Sequence, residues 1–294
     1  MFVVTGVSGN TGSVVADRLL AAGAKVRVVV RSAEKGEPWK ARGAEVAVAS
    51  VEDVDALAAA LSGASGAYLL IPPPGPEVQG ILARGRRIAD GFVQALTRSP
   101  VGHVVLLSSV GAQHPDKTGP IAALHHAEQV LSGLAGTRLT FVRAAYFMEN
   151  LGGMLGAVLG AGVLPSLASP TLSFPMVATK DIGEVAADAL LHPKAQPGAP
   201  EIIELSGPAE YSISDAAAAF GQALNKAVHA VPVPREGVVP ALMQAGLGAE
   251  MAGLYLEMSV GMDEGRVAFA GAGRPVRGKV TLAEQVGRLV PQAS

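Results

Sequence analysis

The sequence predicts an α/β fold of the Rossmann type: a doubly wound parallel sheet with a smaller C-terminal substrate lobe. Three observations lead there. Short runs rich in Val, Ile and Leu alternate with helical patterns through the first 145 residues, those runs are continuously apolar, and the first is followed at once by a glycine-rich loop that opens a helix. Strands covered on both faces have no wet side, so their sequence does not alternate. Strand–helix alternation then implies parallel strands joined by right-handed crossovers.

Residues 2–5 read as the first strand and residues 11–22 as the first helix, closed by Gly23. Residues 25–31 and 44–48 are the next two strands. Residues 53–61 form a helix with Asp53 as its N-cap. The fourth strand, 66–71, ends on Pro72-Pro73-Pro74, and a long helix covers 78–98. A strand over 101–108, a helix over 121–134 and a strand over 139–144 complete this half. After Tyr146 the rhythm changes. Residues 151–179 carry no charge, but Pro165, Pro170, Pro175 and several glycines interrupt them. A membrane span needs roughly 20 apolar residues in a row, so this segment reads as a short helix and a loop lining an apolar pocket. Helices over 180–191 and 212–224, strands over 202–205 and 228–231, a glycine-interrupted helical stretch over 235–270 and a helix over 282–289 follow. The expected division is 1–150 for dinucleotide binding and 151–294 for the substrate lobe, part of which returns to the main sheet.

Composition narrows the function. Apolar residues make up 49% and charged ones 16%, which excludes extended disorder. The formal charge of −2 gives no basic field for nucleic acid. With no cysteine, disulfides, thiolate nucleophiles and thiolate metal sites are excluded, and no other metal-ligand spacing stands out. A cytoplasmic monomer or homodimer acting on a small apolar molecule, without a leader or membrane span, is the expectation.

The strongest local signal is Gly6-Val7-Ser8-Gly9-Asn10-Thr11-Gly12, between a predicted strand and helix. The first glycine permits a tight turn, the second lets backbone approach a pyrophosphate, and the third lets the helix pack on the strand. Phosphates would meet the free N–H groups at the helix start. Strand two ends Val29-Val30-Arg31-Ser32, without the acid that holds a ribose diol. Arg31 can instead fork onto a 2′-phosphate, with Ser32 adding a hydroxyl, so NADP(H) is favoured over NAD(H); the plainer reading of Arg31 is a solvated cation.

Several further motifs carry a resemblance. They are Gly6 to Gly12, Arg31, Tyr68-Leu69-Leu70-Ile71-Pro72-Pro73, Leu107-Ser108-Ser109-Val110-Gly111, residues 125–134, Phe141 through Asn150, Thr179-Lys180-Asp181-Ile182 and residues 203–207. The chain resembles NmrA-like members of the atypical short-chain dehydrogenases, close in pattern to bacterial NAD(P)H-dependent quinone and triphenylmethane reductases. That resemblance implies NADP(H) along the strand C-termini, touching Ile71, Pro72, Pro73, Ser108, His126, Ala145 and Tyr146, with an apolar acceptor above the nicotinamide. One departure stands out. Typical short-chain dehydrogenases use a Tyr-x-x-x-Lys pair, whereas the positions matched here hold Ala122 and His126.

The expected catalytic groups are therefore His126, Tyr146 and Ser108. His125 and His126 point about 100° apart on a helix and cannot both face the cofactor. His126 takes the family's lysine position, and its ordinary pKa of about 6.5 suits proton donation or a ribose contact. Ser108, at a strand end, offers a hydroxyl to an acceptor oxygen or satisfies a loop. Tyr146 and Phe147 are adjacent in a chain with only seven Phe, four Tyr and one Trp. They suggest a stacking surface, with Asn150 and Met154 completing an adaptable pocket. The leading expectation is an NADPH-dependent oxidoreductase passing hydride to a planar apolar electrophile such as a quinone, enone, iminium or cationic dye. The alternative is a dinucleotide-binding redox sensor without turnover. An isomerase or dehydratase fits less well, because that chemistry uses the tyrosine as a base.

Overall fold

The computed structural model of the chain describes residues 1–291. Its first half is β1 (Phe2–Val4), α1 (Asn10–Ala21), β2 (Val26–Val30), α2 (Ala33–Lys40), β3 (Glu45–Val48), α3 (Val54–Leu61), β4 (Gly66–Leu69), α4 (Ile81–Arg98), β5 (His103–Ser109), α5 (Ala122–Ser132) and β6 (Arg138–Ala144), with a 3-10 turn at Gly119–Ile121 before α5. Then come β7 (Tyr146–Phe147), a 3-10 segment over Met148–Met154, α6 (Leu155–Ala161), β8 (Val163–Ser166), β9 (Phe174–Val177), α7 (Thr179–Leu191), β10 (Glu201–Ser206) and β11 (Glu210–Tyr211). The chain ends with α8 (Ile213–Leu224), β12 (His229–Pro232), α9 (Arg235–Gln244), α10 (Ala249–Asp263), β13 (Arg274–Arg277) and α11 (Leu282–Leu289).

Eight strands form one sheet in the order β13-β10-β6-β5-β4-β1-β2-β3, and every pairing in it is parallel. Strand order reverses between β1 and β4, where a doubly wound sheet opens a crevice at its C-terminal edge. The apolar runs have the predicted cause. Val4, Val28, Val105 and Val142 join a core with Val15, Leu19, Ile182 and Leu190 of α1 and α7. Their neighbours Val3, Val104 and Leu106 join the opposite core with Leu57, Ile88, Phe92 and Leu131 of α3, α4 and α5. Successive side chains alternate between the faces, and both faces are covered.

The C-terminal half contributes to both parts of the molecule. α7, β10 and β13 extend the main sheet and its helical layer. A third core gathers Met148, Leu151, Val158, Leu164, Phe174, Met176, Ile213, Phe220 and Val286 beneath α6, α8 and α11. Small sheets β11-β9-β7 and β12-β8 frame it. The uncharged segment 151–179 thus holds one short helix and two strands rather than a helix and a loop. Among the described residues no helix is long and apolar enough to cross a membrane. The stretch expected to be helical over 235–270 breaks after Ala245, where Gly246 turns with φ 93°, and resumes as α10. Asp53 is the N-cap of α3, its carboxylate accepting from the N–H groups of Asp55 and Ala56.

His103, which reads as incidental in the sequence, is a buried member of this sheet. It is 3% exposed, and its Nε2 shares a hydrogen bond with Thr140 Oγ1 at 2.9 Å. Burial, with help from Arg138 and against the pull of Glu201, lowers its pKa to about 4. The folded chain therefore takes up this proton later than the unfolded chain does. The stabilisation is complete above the unfolded value of about 6.5 and is lost as pH falls towards 4. His103→Gln keeps a hydrogen-bonding side chain for Thr140 and removes the titration. Urea unfolding at pH 7.5 and pH 5.0 should show a smaller acid loss in the variant than in the parent; equal losses would contradict this origin.

Candidate functional site

The glycine loop lies at the β1/β4 reversal. Gly6 turns with φ 69°, a left-handed conformation that favours glycine. A Cβ on Gly12 would sit 2.5 Å from the Gly6 carbonyl oxygen, so only glycine lets α1 start this close to β1. Thr5 Oγ1 donates to the Tyr68 carbonyl at 3.0 Å, and the Tyr68 hydroxyl donates to Thr11 Oγ1 at 3.0 Å. This buried pair of bonds ties β1, β4 and α1 together, and burial pushes the Tyr68 phenol far above its ordinary range. On the other side, a Cβ on Gly183 of α7 would lie 2.5 Å from Val14, so α7 packs directly on the first turns of α1.

What this frame leaves open is the helix start. Ser8, Gly9 and Asn10 are exposed. No side chain caps α1, and no acid sits in its first turn. The unpaired N–H groups and positive end of the helix are available to an anion. Arg31, just beyond β2, is exposed and makes no hydrogen bond or ion pair with the described residues. Ser32 is the N-cap residue of α2 and its hydroxyl makes no capping bond. On the far side of β1, Arg84 of α4 donates to the Pro72 carbonyl at 3.0 Å and pairs with Glu52 at 2.7 Å, fixing the segment that carries Ile71, Pro72 and Pro73.

The groups beyond the loop are arranged differently from the sequence expectation. Ser108 is 2% exposed and donates to Glu128 Oε1 at 2.6 Å. Arg143 of β6 reaches the same carboxylate through Nε at 3.0 Å and Nη2 at 2.6 Å. Ser108 therefore belongs to a buried ionic network rather than offering a hydroxyl to a ligand. The alternation of β5 explains it: Ser108 shares the parity of Val104 and Leu106 and faces α5.

His126 bonds Asp90 Oδ1 at 2.7 Å. Asp90 lies nine residues, roughly 14 Å, along α4 from the end nearest the strand C-termini. The ring is thus committed to the outer α4–α5 seam. The position facing the loop after β5 belongs to His125, whose Nδ1–H donates to the Ala112 carbonyl at 2.9 Å. That bond fixes the tautomer and leaves Nε2 without a partner among the described residues.

Tyr146 and Phe147 also separate. Phe147 packs against the core beside α1 and α7, and Tyr146 against that of the smaller lobe, because neighbours on an extended strand point to opposite faces. Both are half-buried. The Tyr146 ring meets Phe174 edge-on, 5.5 Å between centroids. Burial, reinforced by neighbouring Tyr255 and opposed by a hydrogen bond with Asn150, raises its phenol to about 12, so it is a proton-bearing donor throughout the neutral range. Ala145 is buried, and its N–H pairs with Leu205. Met154 packs against the lobe core and Asn150 is exposed.

Two acids of the sequence motifs turn out to be frame residues. Glu149 accepts from the Thr179 N–H and hydroxyl, at 3.0 and 2.7 Å, and so caps α7. Buried Asp181 accepts from the N–H groups of Lys279 and Val280, both at 2.9 Å. Lys180 of the same motif is exposed. The sequence held no sign of the Glu128–Arg143 pair, since residues 15 apart meet only through the sheet.

A parallel sheet with this strand order and an uncapped glycine-loop helix at its switch point is the architecture of dinucleotide-binding proteins. The chain belongs to the NmrA-like family, whose model matches residues 1–262. It is 27% identical over 260 residues to an NAD(P)H azoreductase of Xenophilus azovorans, covering 88% of this chain and 86% of that one. Among solved structures it is similar to an NADPH-dependent quinone oxidoreductase of Escherichia coli complexed with NADPH, with TM-score 0.79 and 23% identity over 98% of this chain and 99% of that one. It is also similar to the Citrobacter sp. triphenylmethane reductase complexed with NADP(H), with TM-score 0.77 and 20% identity over 98% and 99% of the two chains.

The buried network makes a stability prediction. Glu128→Ala leaves the Arg143 charge buried and unpaired, with an expected loss of about 3–5 kcal/mol. Ser108→Ala removes one charge-assisted bond and should cost about 1.5–3 kcal/mol. Urea denaturation reads both, and a loss in Glu128→Ala no greater than in Ser108→Ala would show that the pair is not the anchor of β5, β6 and α5.

Proposed function

We propose that the chain is an NADPH-dependent reductase that passes hydride to a planar, apolar electrophile such as a quinone, an enone, an iminium or a cationic dye. The observation that carries the reading is the pairing of two features on one sheet edge. An uncapped helix start lies at the β1/β4 reversal, and half-buried Tyr146, its ring edge-on to Phe174, lies just past β6. The kinds of molecule named for the azoreductase, quinone oxidoreductase and triphenylmethane reductase agree with it.

The residues present fit NADP(H). Gly6, Ser8, Gly9, Asn10, Thr11 and Gly12 would hold the pyrophosphate through backbone, and the uncovered Arg31 with Ser32 would hold the 2′-phosphate. Ile71, Pro72 and Pro73, braced by Arg84, would wall the adenosine side. Bound reduced nicotinamide supplies the hydride. The protein's own part is orientation, an apolar surround and a proton source. α5 carries neither tyrosine nor lysine, so strong acid–base assistance is not on offer there. Tyr146 is the hydroxyl best placed to meet an acceptor oxygen or nitrogen, with its proton retained at neutral pH. His125, not His126, is the imidazole directed toward the β5 loop, with Nε2 available to a ribose hydroxyl. An acceptor that is already a strong electrophile takes hydride with that much help.

The test is direct. The purified chain is titrated with NADPH and NADH, then mixed with NADPH and a panel of quinones and dyes while the nicotinamide absorbance is followed. Saturable oxidation above the uncatalysed rate supports the reading. Tight NADPH binding with no oxidation across the panel would replace it with the sensor alternative. Arg31→Ala should weaken NADPH about 10–100-fold, from loss of charge-assisted hydrogen bonds, and leave NADH within roughly threefold. Equal losses for both would remove Arg31 from the 2′-phosphate.

A further inference from the structure

The three hydrophobic cores are built almost without residues 234–267, the stretch that holds α9 and α10. Of its side chains only half-buried Met262 packs against a core, that of the smaller lobe. Val238 of α9 and Ala252 of α10 are buried but belong to none of the three. α9 packs on α10, and α10 rests on the 3-10 turn at Gly119–Ile121.

Hydrogen bonds fasten the stretch instead, and they are of one kind. Just before it the Val233 N–H donates to the Ser166 carbonyl at 2.9 Å, and just after it the Gln113 side-chain amide donates to the Ala268 carbonyl at 2.8 Å. Between these points, among the described residues, every hydrogen bond to the remainder of the chain runs from a backbone N–H to a carboxylate of α10. Glu250 accepts from Gly80 at 2.7 Å and Ile81 at 2.8 Å, at the start of α4. Glu257 accepts from Gly119 at 3.0 Å, beside the start of α5. Asp263 accepts from Ser169 of the smaller lobe at 2.8 Å. The seating is close at these contacts. A Cβ on Gly248 would lie 2.6 Å from the Pro76 carbonyl oxygen, and one on Gly119 would collide with the Leu254 carbonyl.

A segment with few buried apolar contacts opens locally, at a free energy below that of global unfolding. This one separates without breaching a core. Once detached, its helices have little to hold them. α9 has 10 residues with Pro240 inside, and α10 has 15 with Gly253 and Gly261 inside. An isolated helix in water is marginal below roughly 12–15 residues even for the best formers, and interior Gly and Pro weaken it further. Detachment and melting are therefore one event.

We propose that residues 234–267 form a strap that opens and recloses as one unit while the sheet stays folded, with Glu250, Glu257 and Asp263 as its clasps. The starts of α4 and α5, at the C-terminal edge of the sheet, are covered and uncovered together. The strap does not depend on the reductase reading.

Native-state amide hydrogen exchange of the full chain tests this, under conditions where reclosing outpaces exchange. In wild type the amides of α9 and α10 should share one protection level with those of Gly80, Ile81 and Gly119, at least about 100-fold below the level of β5 and β6. Glu250→Gln replaces a charged acceptor with a neutral one and should speed the whole set about 10-fold, Gly119 at the distant clasp included, without moving β5 and β6. Glu257→Gln should do the same, read at Gly80 and Ile81. Glu236→Gln removes a charge from exposed α9 that clasps nothing and should change none of them.

α9 and α10 exchanging only at the level of β5 and β6 would overturn the proposal, since the stretch would then open only with the whole protein. So would a variant that speeds its own partner amides alone, because the clasps would then fray independently. Should one variant fail to fold, the other and the wild-type pattern carry the same decision.

Discussion

Helix α1 begins against the end of β1, and the room for that contact is the absent side chain of Gly12. Much of the candidate site follows from this approach. It brings the helix start to the sheet edge at the strand reversal, where three consecutive N–H groups have no helical partner. The hydrogen bonds Thr5 to Tyr68 and Tyr68 to Thr11 hold β1, β4 and α1 in register from below, out of reach of water. Gly183 lets α7 press on the same turn from outside. The turn is thus gripped on two sides and open on the third, which is the arrangement an anion site needs: donors that stay in place and are not already satisfied.

Carboxylates build the rest of the frame. Glu128 neutralises Arg143 between β5, β6 and α5; Glu149 caps α7; Asp181 holds the segment entering α11; Glu250, Glu257 and Asp263 fasten α10. Those on Arg143, Thr179, Val280 and Gly119 satisfy donors that are buried or partly so, and leaving such a group unpaired costs about 1–3 kcal/mol. A chemical reading of the same acids from sequence alone is tempting, because a motif looks alike whether it performs a reaction or holds two segments together. Geometry separates the cases: a carboxylate with its donors already supplied by the fold has little capacity left for a substrate.

The main sheet was legible in the sequence because its signals are local. Continuous Val-rich runs and a glycine loop at residue 6 depend only on neighbouring residues and on burial. What failed to show has equally definite reasons. α2, with sequence AEKGEPWK, has a proline inside it and little apolar periodicity. β13 reads RPVR and has only one partner strand. β7 and β11 are two residues each. α10 is apolar on several sides because it touches the sheet loops, the lobe and α9, so it gives no single stripe to read. Which of His125 and His126 faces the loop after β5 is a matter of about 100° of helix rotation. The family's lysine position gives a residue number but not a face, and only the bonds to Asp90 and Ala112 show where each ring lies.

Two parts of the sheet's C-terminal edge are held by different means. The glycine-loop side is rigid: glycines without room for a side chain, bonded Thr and Tyr, a proline segment braced by Arg84. α10 is held instead by carboxylates reaching outward, Glu250 to the start of α4, Glu257 to Gly119 and Asp263 to Ser169 of the smaller lobe. Misplacement of about 1 Å at a reacting centre can cost a factor near 100, and the glycine turn, gripped on two sides by packing without side-chain freedom, is the part of this edge whose position the fold secures most closely.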